Sequence, residues 1–212
     1  MISSSSRSLL AFLSIAAFAA PSFAGIIAPG GFAPFGGPGT PASGTLLVSD
    51  TKPYSGVNTA SQVVFSGTET TKVYSNDPGN GFGGLTFVYQ LINSSNSLDA
   101  IDRVSLSSFT GFLTDVEFAG TGTAPSFADR SSNGDIVGFD FFGATLTPGA
   151  TTTTLIIRTN ALQYTPNTMS VTDGGTGVVA SFGAAINGGS TPEPASLGIM
   201  SIGGLLLLRR RR

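Results

Sequence analysis

Between residues 45 and 185 no window of ten residues keeps a helical period; apolar side chains recur at every second position instead, in short runs broken by turn residues. That alternation limits the fold more than any other feature, because a strand sends successive side chains to opposite faces. Over 85–92, Leu85, Phe87, Tyr89 and Leu91 share one face, and Thr86, Val88 and Gln90 the other. Val137, Phe139 and Phe141 share a face opposite Asp140, and Leu155 and Ile157 alternate with Ile156 and Arg158. Further strands are expected near 46–49, 62–65, 71–74, 103–106, 169–171 and 178–182. Between them stand Asn76-Asp77-Pro78-Gly79, Asn133-Gly134-Asp135, Thr147-Pro148-Gly149 and Asp173-Gly174-Gly175, all turn-forming combinations. About nine strands at these spacings predict an all-β domain over 45–185: an antiparallel β-sandwich, immunoglobulin-like or jelly-roll, with its strand order open. Phe141 and Phe142, being adjacent, must point to opposite faces, so one of them is exposed or covers a second layer.

The residue types that are missing narrow the chemistry. The 212 residues contain no cysteine, histidine or tryptophan. Disulfides, thiolate and imidazole metal sites and a Ser-His-Asp triad are therefore unavailable, and no cofactor is expected. Charged residues make up 10% of the chain, against about 25% in an average globular domain. Such a composition suits an extracellular β-rich domain better than a cytosolic enzyme. From residue 25 to residue 190 there are eleven acids and five bases, a net charge of −6. Nucleic acid is excluded as a partner, since phosphate contacts need a basic surface.

Both ends of the chain read as addresses. Residues 1–24 form an expected signal peptide: Arg7 and the amino terminus give the positive end, and 9–20 the apolar core. Ser22-Phe23-Ala24 puts small residues where signal peptidase inspects the chain, so cleavage is expected between Ala24 and Gly25. An uncleaved anchor is the alternative, against which the short apolar run argues. Residues 25–44 hold seven glycines and four prolines and read as a flexible leader, unless Phe32 and Phe35 dock on the domain. Residues 186–190 link the domain to the tail.

The tail, 191–212, has three parts. Pro192-Glu193-Pro194 cannot be helix interior, because each proline lacks an N–H and disfavours helix in the residue before it. Residues 195–208 are uncharged and predict a short transmembrane helix, about 21 Å long at 1.5 Å per residue. Arg209, Arg210, Arg211 and Arg212 follow as a basic anchor that belongs on the cytoplasmic side, which places everything before the helix outside. A buried core helix ending in a solvated basic tail is the plain alternative. The signal peptide and the four arginines demand the same orientation independently.

In its order and position this tail resembles the PEP-CTERM sorting signal: a Pro-Glu-Pro motif, a short hydrophobic helix and an arginine-rich end. The resemblance covers about a tenth of the chain. It implies export, transient anchoring in the inner membrane, and recognition at Pro192, Glu193 and Pro194 by an exosortase, a membrane-embedded cysteine transpeptidase-like enzyme. The catalytic residues of that reaction belong to the exosortase, and this chain is the substrate. Location at the cell surface or outside the cell, in association with exopolysaccharide in a biofilm matrix, is further implied.

Within the domain a few side chains invite chemistry. Asp115 and Glu117 stand two apart and would share a face of a strand, as a glycosidase pair can; two solvated charges flanking an inward Val116 is the plainer expectation. Asp129, Asn133 and Asp135 offer three oxygens within seven residues, a weak calcium candidate set against an ordinary Asn-Gly-Asp hairpin turn. Asp77 with Asn80 is a weaker one. Asp102-Arg103 and Asp129-Arg130 read as local charge balance, and the sequon at Asn93 as a surface position. Two functions stay open: a non-catalytic surface or matrix protein, and a carbohydrate-binding module, which an exposed platform of Tyr54, Tyr74, Tyr89 or Tyr164 would favour. Tyr89 lies on the apolar face of its strand and belongs in the core. A small glycoside hydrolase ranks last, because the acid–base inventory is thin.

Overall fold

The computed structural model describes residues 25–185. The expected signal peptide, the linker over 186–190 and the sorting signal with its helix over 195–208 lie outside the described residues. Eleven strands follow in chain order: β1 (Phe32–Pro34), β2 (Thr45–Val57), β3 (Val63–Ser75), β4 (Thr86–Asn93), β5 (Arg103–Leu106), β6 (Thr114–Ala119), β7 (Phe127–Arg130), β8 (Val137–Asp140), β9 (Thr154–Thr159), β10 (Gln163–Thr172) and β11 (Thr176–Ala185). There is no helix among the described residues, and every strand pairing is antiparallel. The expected segments 62–65 and 71–74 belong to one long strand, β3, while β1, β6 and β7 go beyond the expected set.

Hydrogen bonding joins all eleven into a single order, β1-β7-β8-β5-β10-β11-β2-β3-β4-β9-β6, in place of the two separate sheets expected. The join between β11 and β2 is slight. Only Thr176↔Val57 and Gly177↔Gly56 pair there, and the sheet curls at that point. Its inner faces then meet: the Tyr89 hydroxyl on β4 donates to the Phe182 carbonyl on β11 at 2.7 Å, three strands away in the order. Gly56 sits at the curl because a Cβ there would lie 2.0 Å from the Phe65 ring. The concave side holds the core, where Phe65, Phe87, Tyr89, Leu91, Leu106, Phe109, Phe139 and Leu155 are sealed from solvent. Burial of each large apolar side chain contributes roughly 1.5–3 kcal/mol. The alternation expected of β4 holds, with Phe87, Tyr89 and Leu91 inward. Phe141 is buried and Phe142 exposed, as adjacency requires, although both follow the end of β8.

The flexible leader expected over 25–44 is laid down on the domain instead. Ile26 bridges Asp115 on β6, and the Ile27 N–H donates to the Thr114 carbonyl at 2.9 Å. Six residues on, β1 pairs with β7 at the far end of the sheet, from Phe32↔Asp129 to Pro34↔Phe127. Phe35 turns inward, edge-on to Phe118 with ring centroids 5.3 Å apart and stacked near Phe139. The chain then returns to β6, where the Gly39 N–H donates to the Phe118 carbonyl at 2.8 Å. This strap thus bonds to strands from both ends of the sheet, where unpaired edges would otherwise invite other chains. Composition misled because Gly and Pro dominate the count, while two apolar side chains, Ile27 and Phe35, decide the docking.

Candidate functional site

Past Gly39 the strap crosses the outer face of β6, β9 and β4 and covers an ionic cluster. On β9 the inward residues are Leu155 and Ile157, so Arg158 must point outward. In the ladders it stands between Asp115 of β6 and Thr86 of β4. The strap shuts it in: Arg158 is 1% exposed. Its Nε donates to Asp77 Oδ2 at 3.0 Å, its Nη1 to Glu117 Oε2, and its Nη2 to the Thr40 carbonyl at 2.8 Å. The strap answers with backbone donors, Thr40 N–H to Glu117 at 3.1 Å and Ser43 N–H to Asp77 at 3.2 Å. Burial alone pushes the Asp77 carboxyl up, but Arg158, with Gly79, Thr86 and Ser43, outweighs it and holds the group below its usual value.

Asp115 and Glu117 do share the outer face of β6, with Val116 inward. They are not the solvated pair expected. Glu117 is buried under the strap and bound to Arg158, while Asp115 forms no ion pair among the described residues. Partial burial, and then the negative charge of Glu117, push the Asp115 carboxyl up to about 6. Asp115, Glu117, Gly79, Phe82, Gly25 and Ile26 line a depression of about 330 Å³.

Two further buried ionic side chains went unread in the sequence. Glu69 projects inward from β3 between the apposed faces, and its Oε1 accepts from the Thr71 and Ser181 hydroxyls. Burial pushes its carboxyl up to about 7, against those hydrogen bonds. Arg130 of β7 is 4% exposed and among the described residues has carbonyl partners only: Gly134, Ile27, Phe109 and Phe112, at 2.6 to 3.0 Å. It clamps the strap to the 109–112 turn and the β7–β8 hairpin. On the outer face of β3, β4 and β9 lies a shallow depression of about 210 Å³, lined by Thr70, Lys72, Tyr74, Gln90 and Thr154 beside Pro41 of the strap.

The residues singled out from sequence fall apart. Asn133 Oδ1 accepts from Ser131 Oγ and the Asp135 N–H, and Gly134 takes a φ of +76°, so the segment forms a tight hairpin turn. Asp135 accepts from Ser108 N–H and the Thr110 hydroxyl, and Asp129 lies on β7 against Arg103 at 2.7 Å. The three oxygens have separate partners and do not converge. Among the described residues no group of three acidic, histidine or cysteine side chains is placed to hold a metal ion. Asp77 belongs to the Arg158 cluster, and the Asn80 amide is spent on the carbonyls of Gly84, Leu85 and Thr159.

Local charge balance also gives way. Arg103 pairs with Asp140, its cross-strand partner, and with Asp129, and Arg130 meets no carboxylate among the described residues. Adjacent residues on a strand face opposite ways, which is why neither pair forms. Asn93 is buried, its amide donating to the Asp99 and Leu146 carbonyls, so the sequon does not mark a surface position. Of the four tyrosines, Tyr54 and Tyr89 are buried and Tyr164 packs edge-on against Phe182; no flat platform of them exists among the described residues. Ala24, Pro192, Glu193, Pro194 and Arg209 to Arg212 lie outside the described residues, and Gly25 begins them. Comparison with known proteins gave no matching family model, no matching curated protein and no matching solved structure.

Proposed function

We propose that this chain is an exported, non-catalytic surface or matrix protein that is sorted at its carboxyl-terminal Pro192-Glu193-Pro194 signal by an exosortase. The observation that carries the reading is the tail itself: the motif, the uncharged 195–208 run and the four terminal arginines in sequence. Agreement between that tail and the amino-terminal signal on one orientation supports it. Signal peptidase cuts between Ala24 and Gly25, the 195–208 helix holds the chain in the inner membrane, and the exosortase then releases it to the surface. The dispositions of the acids support a non-catalytic role. Glu117 is bound by Arg158 and Thr40, and Glu69 faces the interior, so neither is free to exchange protons with a substrate.

We read the domain as a β-sandwich, immunoglobulin-like or jelly-roll, with β1, β7, β8, β5, β10 and β11 as one layer and β2, β3, β4, β9 and β6 as the other. The slight β11–β2 join and the contacts of Thr71 and Tyr89 across to β11 favour that division. A carbohydrate-binding role is the second reading. It is favoured by the depression beside Tyr74, whose Lys72, Gln90, Thr70 and Thr154 side chains suit sugar hydroxyls.

The sorting reading is tested in the native host by replacing Pro192-Glu193-Pro194 with three alanines and fractionating the cells. The variant is expected to accumulate in the inner membrane, while the wild type reaches the surface. Equal surface levels of the two proteins contradict it. Loss of exopolysaccharide binding on Tyr74→Ala, with the fold intact, would promote the second reading.

A further inference from the structure

We propose that the depression beside Asp115 is the seat of the Gly25 α-ammonium group, filled when residues 1–24 are removed, so that export processing adds the cation this acidic corner lacks. The inference rests on the export reading above. Hydrolysis of the Ala24–Gly25 bond takes up one water, leaves a carboxylate on Ala24, and turns the neutral amide nitrogen of Gly25 into an amine that is protonated at neutral pH.

The charges around the seat are unbalanced. Asp115 and Glu117 line it from β6, and behind Glu117 the buried Arg158 of β9 pairs with Glu117 and with Asp77 of the β3–β4 loop: three carboxylates to one guanidinium in this corner. All three nitrogens of that guanidinium are engaged, by Asp77, Glu117 and the Thr40 carbonyl. Asp115, its cross-strand partner, is left without an ion pair among the described residues; burial first, and then the charge of Glu117, push its carboxyl up, against the pull of Arg158. A divalent metal is a poor answer, since no three ligating side chains converge among the described residues. A single ammonium group suits one free carboxylate.

The same geometry delivers it. The Ile26–Asp115 bridge and the 2.9 Å bond from the Ile27 N–H to Thr114 fix the backbone one residue beyond Gly25. Ile27 is itself buried, and its carbonyl accepts from Arg130 at 3.0 Å. Gly25 lines the depression together with both β6 carboxylates. Little freedom remains to be lost when the amine meets Asp115, so even a partly solvated ion pair forms readily.

The test uses the exported protein recovered from cells, wild type and Asp115→Asn. Intact mass first establishes the amino terminus. A start other than Gly25, or retention of 1–24, overturns the export reading and the seat with it. With a start at Gly25, amine acylation is followed against pH by peptide mass, with Lys52 and Lys72 as internal controls. The α-amino group of the wild type is expected to titrate about one pH unit higher than that of Asp115→Asn, a tenfold difference in protonation constant. Acetylation of the α-amino group is expected to lower the melting temperature of the wild type and leave that of Asp115→Asn unchanged. Equal titration in the two proteins, or an equal acetylation effect, overturns the seat and leaves the export reading standing.

Discussion

Replacing Glu69 by glutamine tests the buried carboxyl through the pH dependence of stability. Glu69 is 1% exposed, and burial raises its titration from 4.5 to about 7 in the fold. Below pH 4.5 the carboxyl is neutral in folded and unfolded chains alike, and its favourable contribution is fully present. Between 4.5 and about 7 the unfolded chain gives up this proton while the fold retains it, so stability falls as pH rises. At about 1.4 kcal/mol per pH unit the loss reaches roughly 3 kcal/mol and then levels off. That is a large part of the 5–15 kcal/mol typical of a domain. Glutamine keeps the shape and can accept from Thr71 and Ser181, and it has no proton to lose. Asp115 and Asp173, each pushed up to about 6, tilt both proteins in the same direction and cancel in the difference. Urea unfolding from pH 4 to pH 8 should therefore show Glu69→Gln gaining on the wild type by about 3 kcal/mol between the two ends. A difference that stays constant over this range, or that moves towards the wild type as pH rises, would refute the assignment.

Other perturbations act on the strap and the curl. Arg158→Met strands Asp77 and Glu117 under the strap without a countercharge, and urea unfolding at pH 7 is expected to show a loss of about 3–5 kcal/mol. Arg130→Met leaves the Ile27, Phe109, Phe112 and Gly134 carbonyls without their donor; a loss of at least 2 kcal/mol is expected, with faster hydrogen exchange at the Ile27 amide. Gly56→Ala drives a methyl group into the Phe65 ring where the sheet curls, and should lower stability by about 1–3 kcal/mol in the same assay.

The strands legible in the sequence are those whose large apolar residues alternate without two charges on the other face. β4 and β9 declare themselves through alternating large apolar residues, and β8 does so over only four. β6 stays outside the expected set because its outward positions are Asp115 and Glu117, which read as surface charges even where a strand is considered there. β7 is four residues long with two of them charged, and β1 is three residues set among glycine and proline. The ionic cluster was harder still. Arg158 lies 81 residues from Asp77 and 41 from Glu117, so only the assembled sheet brings them together. One signal was present: an arginine directly after Leu155-Ile156-Ile157 has to be paired if the outer face of that strand is covered. The covering strap was the missing premise, since Ile27 and Phe35 find their places only once β6, β7 and β8 exist. For Arg103 the face rule alone excluded Asp102 as its partner.

Export and sorting at the tail are checked by intact mass of the protein from the native host, with and without the exosortase. A mature protein that begins at Gly25 and ends near Pro192–Pro194 is expected, with that shortened end lost in cells lacking the exosortase. A mature protein that retains Arg212 in normal cells would contradict sorting at the tail.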